Sequence, residues 1–199
     1  MNLKKLAGAL LLVLLALWIV GWASSRSQKP ESPQVVQASP TDKWQVTEKQ
    51  SLMDDSKTVS VTLDSEDEVQ GPLGKVRPTL IVRCQVKKTD VYVVTGMAAN
   101  VEADGEHVVG IRLDDGPARY ENWSESTDHD ALFASDTIWN NHEPTFSGGR
   151  IDFAKKLAGA SRLTFQFTPF DGNPQVARFD LRGLDAHLHT VAEACGWAY

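Results

Sequence analysis

The chain has 199 residues, 42% hydrophobic and 23% charged, with a formal net charge of −6. These proportions belong to a folded globular chain and exclude wholesale disorder. Without residues 1–23 the chain carries 18 basic and 26 acidic side chains, a charge of −8. Such a chain gains nothing from phosphate neutralisation, which makes nucleic acid a poor partner.

Residues 6–23 carry no charge and follow Lys4 and Lys5. A basic start before an apolar run keeps the N-terminus cytoplasmic and delivers the rest across the membrane. A cleaved signal peptide and a membrane anchor both fit. The run is long for a signal, at the low end for a span, and ends on the small-x-small Gly21-Trp22-Ala23. Residues 1–23 are therefore read as a signal peptide or signal anchor, with 6–23 the inner-membrane segment if it is retained. Residues 24–43 contain Pro30, Pro33, Pro40 and five serines, the composition of an extended linker. Residues 44–199 form the folded domain, placed in the periplasm.

From Trp44 the pattern has period two. Val59, Val61 and Leu63 alternate with polar residues, as do Leu80, Val82 and Cys84, with Ile81 and Arg83 on the opposite face. Val91 and Val93 oppose Tyr92 and Val94, and residues 87–90 are read as the turn joining these two strands. Residues 107–113 and 119–124 form a pair across the turn 114–117, and 163–167 and 176–181 another across 169–174. Two helices enter late, at 150–158 and 184–194, with Gly196 ending the second. The predicted fold is α+β: an antiparallel β-sandwich or open barrel with a short helix and a C-terminal helix packed on it.

Cys84 and Cys195 are the two cysteines of the chain. An even count in an oxidising compartment predicts a disulfide pinning the last helix to the sheet. Closing such a loop is worth about 2–4 kcal/mol after strain. No CxxC, GxSxG, HExxH or phosphate-binding glycine loop is present. Asp54, Asp55, Asp114 and Asp115 are adjacent pairs that point to opposite faces on a strand, so they make poor acid–base pairs. Asp185 and His189 share a helix face but lack the third ligand a metal needs, and Asp128-His129-Asp130 in a polar loop is read likewise as surface polar residues. The acidic stretch Asp64, Glu66, Asp67 and Glu68 lacks the spacing of a calcium loop. No catalytic residue, metal or cofactor is expected. Arg83, mid-strand beside Cys84, should have a carboxylate or carbonyl partner or face water, and is read as a structural ion pair or a ligand contact.

Several segments together resemble the type VI secretion-associated VasI/TagO family. They are Trp44 with 49–55 (KQSLMDD), 77–84 (RPTLIVRC), 90–93 (DVYV), 111–117 (IRLDDGP), Ser126-Thr127, Leu132-Phe133, 153–163, Pro169, 179–184 (FDLRGL) and 194–197 (ACGW). The resemblance spans about 155 residues from Trp44 onward and leaves out the apolar run and the linker. It implies a non-enzymatic accessory protein of the cell envelope, exported or anchored, acting by protein–protein interaction. The partner would be an envelope or secretion-system protein, or peptidoglycan-associated machinery. The family's Arg-Cys and Ala-Cys-x-Trp elements fall on Arg83-Cys84 and 194–197, which supports the pairing of Cys84 with Cys195. Arg83, Asp54, Asp55 and Trp197 are the interaction candidates. A membrane-tethered inhibitor, or a phage-type exclusion factor drawing a basic wall-degrading protein to the acidic domain, is the alternative.

Overall fold

The computed structural model describes residues 35–36, 43–102, 105–136, 139–140, 143–144 and 146–199. The apolar run 6–23, most of the stretch 24–43 and His142 lie outside the described residues. The elements are β1 (Val35–Val36), β2 (Gln45–Gln50), β3 (Lys57–Asp64), β4 (Val69–Gly71), β5 (Gly74–Val76), β6 (Thr79–Gln85) and β7 (Lys88–Val94). They continue with β8 (His107–Leu113), β9 (Arg119–Glu125), β10 (Ala131–Phe133), β11 (Trp139–Asn140), β12 (Glu143–Pro144), α1 (Arg150–Ala158), β13 (Arg162–Phe167), β14 (Gln175–Asp180) and α2 (Leu184–Cys195). Among the described residues no helix is long and apolar enough to cross a membrane.

The main sheet runs β1-β2-β3-β6-β7-β10-β9-β8-β13-β14, and each neighbouring pair is antiparallel. The class is α+β as expected. Of the two arrangements predicted, the strand order gives one open sheet rather than two stacked ones. Period-two alternation sends Val59, Val61, Leu80, Val82, Cys84, Val91 and Val93 to one face. There α2 packs on β3 and β6, and α1 on β7. Trp123 centres the other half of the core, 5.3 Å from Phe165 and edge-on to Phe153 at 5.8 Å. Such aromatic pairs add about 0.5–1.5 kcal/mol each beyond the area they bury.

The sheet curls until β14 lies beside the connection that follows β3. Loop amides and side chains bridge this seam in place of a strand ladder. The Glu66 amide donates to the Arg178 carbonyl at 2.8 Å, and the Arg178 amide donates to Asp67 Oδ2 at 2.9 Å. The buried Trp44 indole donates to the Arg182 carbonyl at 3.1 Å. Gly183, at φ 96°, lets the chain pass this indole; a Cβ there would stand 3.4 Å from Trp44 Cδ1.

Two segments differ from the sequence reading by more than a frayed end. β1 pairs Val35 with Thr47 and Val36 with Val46, so the sheet takes a strand from within the stretch read as linker. The turn between β6 and β7 is Val86-Lys87, not residues 87–90. Gln85 pairs with Lys88, and both loop residues have positive φ, 49° and 59°. That is the conformation a two-residue hairpin loop needs to match strand twist.

Candidate interaction surface

β6 carries Cys84 on its core face, and α2 ends on Cys195 where Gly196 turns left-handed at φ 78°. The two cysteines are bonded, with Cα atoms 5.5 Å apart. Beside the bridge, the Trp197 indole donates to Thr89 Oγ1 at 2.9 Å, and Thr89 is the cross-strand partner of Cys84. The Lys155 ammonium lies 5.4 Å from the Trp197 ring centre, a cation–π distance. α2 has no basic residue in its last turn. Lys87, from the β6–β7 loop, supplies the cation by donating to the Ala194 carbonyl at 2.9 Å. Tyr199 packs edge-on to Trp197 and His189, and its hydroxyl donates to Asp185. Burial and then the Asp185 carboxylate push this phenol up to about 12. The helix face that joins Asp185 to His189 is therefore taken by Tyr199.

The same end of the sheet carries two hairpin tips. The register pairs Gln50 with Lys57, Thr58 with Gln85 and Gln85 with Lys88, so the β2–β3 and β6–β7 loops lie at one end. The β2–β3 loop holds Leu52 and Met53 at 93% and 94% exposure, and Val86 follows at 66%. Asp54 is spent on the loop itself. Its Oδ1 accepts from the Ser56 hydroxyl at 2.8 Å and from the Ser56 amide at 3.2 Å. The hydroxyls of Ser51 and Ser56 hold this carboxyl below its ordinary range. Asp55, at φ 56°, accepts from the Gln50 side chain at 3.2 Å. Two carboxylates thus brace a loop whose tip is apolar.

Arg83 precedes Cys84 by one residue and stands on the face opposite the bridge. Its guanidinium donates to Asp90 Oδ2 at 2.8 Å and lies 5.0 Å over the Tyr92 ring. Asp90 is buried, and Arg150 Nη1 donates to its Oδ1 at 2.8 Å. Arg150 also reaches Asp136 at 2.8 Å and the Ala134 carbonyl at 3.0 Å. Arg83 is thus one arm of an internal ion network. Of the four interaction candidates, Trp197, Asp54 and Asp55 come to one end of the sheet, and Arg83 points away from it.

Asp114 and the acidic stretch 64–68 lie apart from this end of the sheet and have local partners. Asp114 accepts from the amides of Ser161 and Arg162 at 2.9 and 3.0 Å, fastening a turn. Asp64 accepts from Thr79 Oγ1 at 2.7 Å, Asp67 pairs with Arg178, and Glu68 with Arg77 at 3.2 Å. The stretch is an exposed strand connection, and Asp67 is its member paired with a cation across the seam. Sequence reasoning missed Glu125. Its carboxylate accepts from the Ala99 amide at 2.7 Å, contacts His129 Nδ1 and lies 3.9 Å from His107 Nε2. Burial pushes Glu125 up, but its hydrogen bonds from His129 and Ala99 outweigh that and hold it below its ordinary value. The i,i+4 spacing of Glu125 and His129 is the feature of the sequence that marks this pair. Among the described residues, no group of three or more His, Cys, Asp or Glu side chains is arranged to hold a metal ion.

No curated protein and no solved structure matches the chain. A family model described as "Type VI secretion system VasI, EvfG, VC_A0118" matches residues 22–197. The match begins before Trp44 and takes in the proline-rich stretch that the segment-by-segment resemblance left out. A sheet that draws β1 from that stretch agrees with the wider boundary. With most of its length matched, the chain belongs to the VasI family of type VI secretion-associated proteins.

Proposed function

We propose that this protein is a non-enzymatic accessory of type VI secretion that works by protein–protein contact on the periplasmic side of the envelope. In this reading the apolar run 6–23 exports the chain and either anchors it in the inner membrane or is cleaved. The bonded Cys84–Cys195 pair, which needs an oxidising compartment to persist, supports the location. Docking uses the bridged end of the sheet. The observation that carries this is the Leu52-Met53 tip, exposed above 90% on a loop braced by Asp54 and Asp55. Adjacent apolar residues so exposed, beside Val86, suit an apolar groove on a partner. The partner is an envelope protein of the secretion system, with basic residues around that groove to meet the two carboxylates.

The test is the full chain with Leu52→Ser and Met53→Ser together. Both side chains lie in solvent, so the variant should fold and melt as the native chain does. It should lose co-purification with envelope secretion proteins, and whole-cell type VI secretion should fall. Secretion and co-purification at native levels would refute the docking end. The purified chain should leave a lysozyme assay unchanged, whereas the inhibitor alternative requires the rate to drop.

A further inference from the structure

The outer face of β8, β9 and β13, strands that do not carry the bridge, holds a shallow cleft of about 130 Å³. Its floor is Gly110, the cross-strand neighbour of both Tyr120 and Gln166. A Cβ on Gly110 would stand 3.2 Å from Tyr120 Cε1 and 3.2 Å from Gln166 Cβ. Glycine in a strand interior gives up packing and β-propensity, and one use of it is to let another group approach the backbone closely. Here the missing side chain lets the Tyr120 ring edge and the Gln166 stem close over the strand, which fixes where the ring lies. Tyr120 is 66% exposed.

The rim is polar and uncharged except for one carboxylate: Asn100, Glu102, Gln166 and Thr168. Among the described residues, none of these four side chains, nor the Tyr120 hydroxyl, is engaged in a hydrogen bond or ion pair with the protein. Their donors and acceptors are open to a ligand. The lining has no lysine, arginine or histidine, so a phosphate or other anion finds no counter-charge. An exposed ring beside amides, a hydroxyl and a carboxylate matches a molecule with an apolar face and a hydroxyl-rich edge. A pyranose has that shape, with axial C–H groups on one face and hydroxyls around the ring.

We propose that this cleft binds a neutral glycan chain, one sugar ring stacking on Tyr120 and its hydroxyls meeting Gln166, Asn100 and Glu102. The inference goes beyond the docking role and uses no residue of the bridged end. So open a cleft gives weak binding, with a dissociation constant on the order of 1 mM for a short oligosaccharide.

The experiment titrates the isotope-labelled full chain with the tetramer of N-acetylglucosamine, with maltotetraose and with cellotetraose, following backbone amide shifts. The amides of Gly110, Tyr120 and Gln166 should move with at least one sugar. Tyr120→Ala should weaken that binding by about tenfold or more, since the stacking ring is the anchor. Tyr120→Phe should retain it within about threefold, because the ring and not the hydroxyl stacks. Gly110→Ala should weaken it by displacing the Tyr120 ring. Co-sedimentation with purified cell-wall sacculi then separates a wall glycan from a soluble one. No shift at these amides with any of the three sugars would overturn the proposal. So would shifts that persist in Tyr120→Ala. Because Tyr120 is exposed, that variant should keep its native spectrum elsewhere. The Leu52/Met53 variant should bind sugar as the native chain does, so this proposal and the docking proposal fail separately.

Discussion

Val86 is a β-branched residue held at φ 49°, where its side chain crowds the backbone. Its exposure shows that core packing does not impose this conformation. The two-residue loop does, because the strands on both sides are fixed by the ladder, the bridge and Trp197. Replacing Val86-Lys87 by Asn-Gly should therefore stabilise the chain by about 1 kcal/mol in a urea titration, less what is lost with the Lys87 contact to Ala194. The misplaced turn also hid the partner of Arg83. A loop of two residues makes Arg83 and Asp90 cross-strand neighbours, whereas a turn at 87–90 removes Asp90 from the strand. No Asn-Gly or Asp-Gly marked the loop, so local chemistry could not correct the reading. Asp90→Ala should cost about 3 kcal/mol, since it leaves two largely buried guanidinium groups without their shared carboxylate. Arg83→Met should cost less, because Asp90 then keeps Arg150.

At the scale of elements, the long strands and both helices were legible because their apolar period is uninterrupted. Residues 150–158 coincide with α1, and α2 runs one residue past its predicted end. The three-residue strands β4, β5 and β10 are too short to show a period. β1 is shorter still and sits in a proline-rich stretch, so its place was set by the open edge of β2. The bridge was legible from the even cysteine count and from the basic-then-apolar start of the chain. The exposed tip was not, since Leu52-Met53 within a polar segment reads equally as a core position of a strand. Cys84→Ser with Cys195→Ser should lower stability by about 2–4 kcal/mol in denaturant, for a separation of 111 residues. Hydrogen exchange should rise most in the last turn of α2 and in the β6–β7 hairpin.

For the whole molecule, the seam between β14 and the β3–β4 connection makes stability depend on acid. Arg178 holds Asp67 below its ordinary range, and Arg182 with Lys43 holds Asp180 there too. Both carboxyls therefore bind fewer protons in the folded chain than in the unfolded one. Their contribution is complete above the unfolded value, about pH 3.9, and is lost as pH falls through the lower folded values. Urea midpoints should change little between pH 7 and 5 from these groups and fall below pH 4. Asp67→Asn should be less stable at pH 7 and lose less on acidification. A variant that tracks the native curve in parallel would show that the seam does not carry the effect. The antiparallel class could be read from strand patterning, but the curl could not. It rests on Trp44, Asp67 and Lys43 meeting residues more than a hundred positions away.

The bridge also orders events in time. Cys195 follows every strand in the chain, and Cys84 sits in the first half. Cys84 therefore stays a lone thiol until the last strand and α2 have been made. With two cysteines, one intramolecular pairing exists, so misbridging within a chain is ruled out by count. Oxidation then serves as a mark of completion: a chain cut short of α2 keeps a reactive thiol open to an oxidase or to a second truncated chain, and a finished chain has none.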